Sequence, residues 1–127
     1  FDLVQKRFVP SSEGGFHVAE AKQRVAWQSA DTLLLGTNFP GDEMPMTDSG
    51  YPRTIREWQR GTPLASAREV FAGAKEDVSV SGYVTRHREV ELEWRHRATS
   101  FYTSEKHVRR RHADGTPVKF VYASKGL

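Results

Sequence analysis

Histidines, acidic pairs and serines beside glycine are the residues of this chain whose types could do chemistry. A serine hydrolase sets its nucleophile on a strained strand-to-helix turn, usually written G-x-S-x-G, so that the hydroxyl meets a His base. Ser49 before Gly50 and Ser81 before Gly82 come nearest, but neither has the preceding Gly, and each reads as a turn or strand residue. His107 and His112 are five apart and His87 and His96 nine apart. These odd offsets place the members of each pair on opposite faces of a strand, and no helical H-E-x-x-H pattern occurs. The histidines therefore read as surface residues. The acidic pairs Asp42-Glu43 and Glu76-Asp77 fall in loops without a partner base and are assigned to solvent. With no cysteine there is no thiolate zinc site, disulfide or cysteine nucleophile. The expectation is a chain with no catalytic residue, no cofactor and no metal.

Binding chemistry has three candidates. Trp27, Trp58 and Trp94 each end or occupy an alternating strand, and core packing between adjacent sheets is favoured for them over stacking on bases or sugars. The basic excess, 19 Lys and Arg against 16 Asp and Glu, gathers between Arg86 and His112. Acids interrupt it regularly there, so it reads as a solvated strand face rather than a nucleic-acid patch. Tyr51 and Arg53, just after a long polar loop, are the residues chosen for substrate or domain contact, with a strand anchor as the plainer reading.

The elements that must carry these residues are strands. The dominant period is two, clearest where Val90, Leu92 and Trp94 alternate with Glu89, Glu91 and Glu93, a pattern that gives one buried and one wet face. Similar runs occur at Leu3–Val9, Gln23–Trp27, Thr32–Thr37, Thr54–Trp58, Glu69–Phe71, Val78–Thr85, Thr99–Thr103, Lys106–Arg110 and Val118–Ala123. Turn residues separate them, as in Pro40-Gly41-Asp42 and Asp48-Ser49-Gly50. The only long connection is Phe39–Gly50. The architecture reads as all-β with antiparallel, hairpin-length connections.

Gly61-Thr62-Pro63 recurs as Gly115-Thr116-Pro117, 54 residues on. Each copy follows an Arg-rich strand and precedes a short apolar one. Periods of about 40 to 50 residues with four strands per unit are the signature of propeller blades. Gln23–Trp27, Thr32–Thr37, Thr54–Trp58 and Glu69–Phe71 supply one set of four. Val78–Thr85, Thr99–Thr103, Lys106–Arg110 and Val118–Ala123 supply the next, leaving Leu3–Val9 as the outer strand of a preceding blade.

The segments Glu20–Trp27, Asp31–Phe39, Ser49–Arg53 and Glu57–Leu64, continued by Val70–Gly73, Asp77–Val80 and Ser100–Thr103, resemble the N-terminal β-propeller domain of the prolyl oligopeptidase family of serine peptidases. The resemblance implies antiparallel four-stranded blades of a seven-bladed propeller: residues 1–10 the outer strand of one blade, 20–73 a second, 77–124 a third. It also implies a parent protein whose α/β-hydrolase domain carries the Ser, Asp and His, cleaves short peptides after proline, and is gated by the propeller. This chain is then a non-catalytic segment whose partners are peptide substrate and that hydrolase domain, with no nucleic acid and no membrane. The alternative is a stand-alone β-sheet interaction module without peptidase activity.

The start lacks an initiator Met, a basic n-region and an apolar h-region, so the chain is expected to begin inside a longer reading frame. No run approaches the roughly 18 apolar residues of a membrane helix. A soluble globular chain is expected, in the cytoplasm, with the periplasm as the other compartment compatible with it. About two blades cannot close a circle, so an isolated piece should oligomerise or swap strands.

Overall fold

The computed structural model describes residues 1–116 and 118–126. Eight strands form two four-stranded antiparallel meanders. The first holds β1 (Arg24–Ser29), β2 (Thr32–Gly36), β3 (Thr54–Gln59) and β4 (Arg68–Ala72), and the second β5 (Ser79–His87), β6 (Val90–Ala98), β7 (Ser104–Arg111) and β8 (Val121–Gly126). Strand order equals chain order in both, so the all-β, blade-like reading holds.

The run Leu33-Leu34-Leu35 explains why β2 is central: it has no polar face and must be covered on both sides. Leu33 and Leu35 join Phe39 and Trp58 on one side, and Phe16 and Val18 from the N-terminal segment close over them. Leu34 faces the other way and meets Ile55 and Val80, the latter from the second sheet. The two sheets thus share one core, with β1 beside β5.

The period-54 echo marks equivalent places. Gly61 lies in the β3–β4 connection and Gly115 in the β7–β8 connection, with φ of 76° and 78°, left-handed values that favour glycine. Pro117, the last residue of the second copy, lies outside the described residues.

Four expectations are corrected. Leu3–Val9 is not a strand: residues 3–6 form a turn closed by the Asp2–Arg7 bridge, where the Asp2 carboxylate accepts the amides of Val4 and Gln5. A side chain that can bond its own turn outcompetes a strand with no neighbour to pair. Thr99–Thr103 is the β6–β7 turn, with Ser100 Oγ accepting the amides of Tyr102 and Thr103. The second strand of that sheet is instead Val90–Ala98. Its pattern is also inverted: Glu93 is buried at 1% exposure while Val90 is 38% exposed. The three tryptophans do not pack between the sheets either. Trp58 is buried and Trp27 half-exposed on the side of the first sheet covered by Phe16, and Trp94 stacks with its cross-strand neighbour Tyr83.

Candidate functional site

Hairpin geometry sorts the connections to two ends. Ser29–Asp31, Arg60–Pro63, His87–Glu89 and His112–Gly115 lie at one end, and the long loop 39–53, the 73–78 connection and the 99–103 turn at the other.

At the first end a groove of about 810 Å³ opens between the sheets. Trp27, Gln28 and the Ser29-Ala30 turn form one wall; Arg86, Arg88, Glu89, Glu91 and Arg111 form the other, with His112, Ala113 and Gly115 at the rim. Arg86 crosses between the sheets: it donates to Gln28 O at 2.9 Å and to Glu91 at 2.7 Å. Arg111 is held by Glu93 at 2.8 Å and faces Glu91 at 3.7 Å.

Alongside the groove, between the sheets, is a network of charged groups. Glu93 Oε2 accepts from Arg109 at 2.8 Å and from Arg111. Gln28 Nε2 donates to Glu57 at 2.8 Å and to Glu93 at 3.3 Å, joining the two carboxylates through one amide. Arg68 donates to Glu57 at 2.8 Å. For Glu57, burial pushes the carboxyl up, but hydrogen bonds from Arg68 and Gln28 outweigh it and hold the group below its ordinary 4.5. Arg95 lies over the Phe120 ring at 3.8 Å, and burial lowers its affinity for the proton. On the same strand, burial and then Lys106 and Arg24 hold His96 below its ordinary 6.5.

Tyr51 and Arg53 are brought together at the other end, away from the groove. Arg53 binds the long loop: its amide donates to Pro45 O, its guanidinium to Met44 O at 2.8 Å and Gly73 O at 3.1 Å. Tyr51 receives Lys22 over its ring at 4.6 Å. Replacing Arg53 with Ala should cost about 2 kcal/mol, since two charge-assisted bonds to carbonyls are lost. Hydrogen exchange at Thr47 and Gly50 should quicken; unchanged protection would mean that the loop does not depend on Arg53.

Against the expectation from sequence, neither acidic pair is left wholly to solvent. Asp42 pairs with Arg56 at 3.1 Å, and Asp77, 4% exposed, accepts from Arg97 and from the amide of Ala74 at 2.7 Å. Both missed partners lie more than ten residues away in sequence, which no local pattern reveals. Ser49 is an exposed turn residue, and Ser81 sits within β5. Among the described residues no group of three or more His, Cys, Asp or Glu could hold a metal ion, and no helix is long and apolar enough to cross a membrane.

A pair of adjacent four-stranded meanders with a shared core defines a propeller-like segment. No family model matches the chain. Over 87 residues it is 36% identical to an uncharacterized peptidase of Sinorhizobium fredii, covering 68% of this chain and 11% of that protein. Over 80 residues it is 30% identical to an uncharacterized peptidase of Rickettsia prowazekii, 63% of this chain and 11% of that one. The structure of a post-proline cleaving enzyme from Rickettsia typhi superposes with a TM-score of 0.79 at 21% identity, covering 99% of this chain and 19% of that one. These findings agree with the resemblance read from the sequence: the chain is similar to peptidases over about two thirds of its length, and its fold is that of a segment of the post-proline cleaving enzyme. It spans about a tenth of the length of the curated relatives it matches.

Proposed function

We propose that this chain is a non-catalytic wall segment of a serine peptidase that cleaves short peptides after proline, and that its sheets help gate substrate entry. What supports this most is the superposition on the post-proline cleaving enzyme over 99% of the chain. The hydrolase domain, with its Ser, Asp and His, lies elsewhere in the parent protein. The surface fits a segment that expects neighbours. Tyr83, Trp94, Val108 and Val121 are successive cross-strand partners and so share one face of the second sheet, and Val121 is 59% exposed. A following blade covers that face in the parent; in the isolated piece another copy does.

The test is hydrolysis of a proline-containing fluorogenic dipeptide by this chain and by the full product of its reading frame. Activity is expected in the longer protein alone. Activity in the chain itself would overturn the non-catalytic reading, and silence in both would favour a stand-alone interaction module.

A further inference from the structure

We infer that the groove between the hairpin ends is a binding site for a peptide carboxylate; the choice of a peptide rests on the peptidase reading above. At about 810 Å³ the groove is within the usual range of about 300–1,000 Å³ for ligand sites. Two of its three arginines are already fixed in place. Arg86 and Arg111 are braced by Glu91, Glu93 and the Gln28 carbonyl, so little side-chain entropy is lost when a ligand arrives. Arg111 Nε is buried with no hydrogen-bond partner.

Arg88 supplies the free charge. It forms no ion pair or side-chain hydrogen bond among the described residues, and it stands at the β5–β6 tip with φ of 54°. A non-glycine residue in the left-handed region carries backbone strain that Gly or Asn would relieve, and such outliers concentrate at ligand sites. Opposite it, the Ser29-Ala30 turn leaves uncharged surface for the residue beside the carboxylate.

The charge balance selects a monoanion. Three arginines line the groove against Glu89 and Glu91, an excess of one positive charge. A planar carboxylate matches the guanidinium fork with that single charge. A dianionic phosphate would face the two glutamates with too little compensation. The carboxylate can be a peptide C-terminus or an Asp or Glu side chain.

Fluorescence anisotropy of labelled tripeptides separates these sources: one free acid, one C-terminal amide, and one amide with an internal Asp. Each is titrated into this chain and into the full product of its reading frame. A carboxylate-bearing peptide should bind at least fivefold tighter than the neutral amide, and whichever arm binds names the source. Arg88→Asn, which suits the left-handed tip, should erase that preference. Lys75→Ala, at the opposite end, should leave it unchanged. Equal affinity for the neutral peptide, or a preference that survives Arg88→Asn, would overturn the inference. Dipeptide cleavage without a carboxylate preference would sink the groove and leave the peptidase reading standing. A preference without cleavage would do the reverse.

Discussion

Glu93→Ala should destabilise the chain by about 3 kcal/mol, read as a lower midpoint in urea. Glu93 is 1% exposed and is the shared acceptor of Arg109 and Arg111, whose side chains are 21% and 26% exposed. Removing it leaves two partly buried guanidiniums facing each other without their shared carboxylate. Breaking a buried pair from one side typically costs about 3–5 kcal/mol, and the partial exposure of the arginines puts this case at the lower end. Glu93→Gln should fall between wild type and Ala, because it keeps an acceptor and loses the charge. A loss under about 1 kcal/mol would mean that water replaces the carboxylate freely. Acid should attack the same network. Glu57 has a lowered folded-state pKa, so its contribution is fully present above its ordinary 4.5 and is lost as pH falls through the lower folded value. In Glu57→Gln, the fall in stability below pH 4.5 should be shallower than in wild type.

This network shows where sequence reading stops. Alternation along Val90–Trp94 correctly announces a strand, but period two says only that residues 90, 92 and 94 share a face, not which face is buried. Hydrophobicity votes for the valine and leucine side. The vote is overturned by Arg109, Arg111 and Gln28, which make a dry place for Glu93 and come from other strands. Assigning Thr99–Thr103 rather than Val90–Ala98 to the second set of four strands has a related cause: the charge density of 90–98 resembles a solvated surface. By contrast, the first sheet was legible almost to the residue. Its β2 strand carries the unbroken run Leu33-Leu34-Leu35, and two of its three connections carry glycine and proline. The groove was illegible because its walls join residues 27–30, 86–91 and 111–115, which only sheet docking brings together. A signal was present: Arg-Glu alternation beside a Trp-bearing hairpin. It pointed to surface as readily as to site.

Ile55→Ala should cost about 3–4 kcal/mol and loosen the joint between the sheets. Ile55 is 1% exposed, and two glycines make room for it. A Cβ added at Gly36, on the neighbouring strand, would lie 3.0 Å from Ile55 Cδ1; one added at Gly82, on the facing sheet, would lie 3.2 Å from Cγ2. The side chain therefore fills a space cut for it on both sides, and backbone cannot collapse into the hole left by truncation. Burial of this kind falls in the upper part of the 2–5 kcal/mol range for Ile→Ala. The double variant Ile55→Ala with Gly82→Ala tests the geometry, because the new methyl points into the vacated volume. It should recover about 1 kcal/mol, measured against each single variant in a mutant cycle. Gly82→Ala alone must push Ile55 aside and should destabilise. Additive losses would mean that the sheets separate when Ile55 is truncated, leaving no cavity to fill.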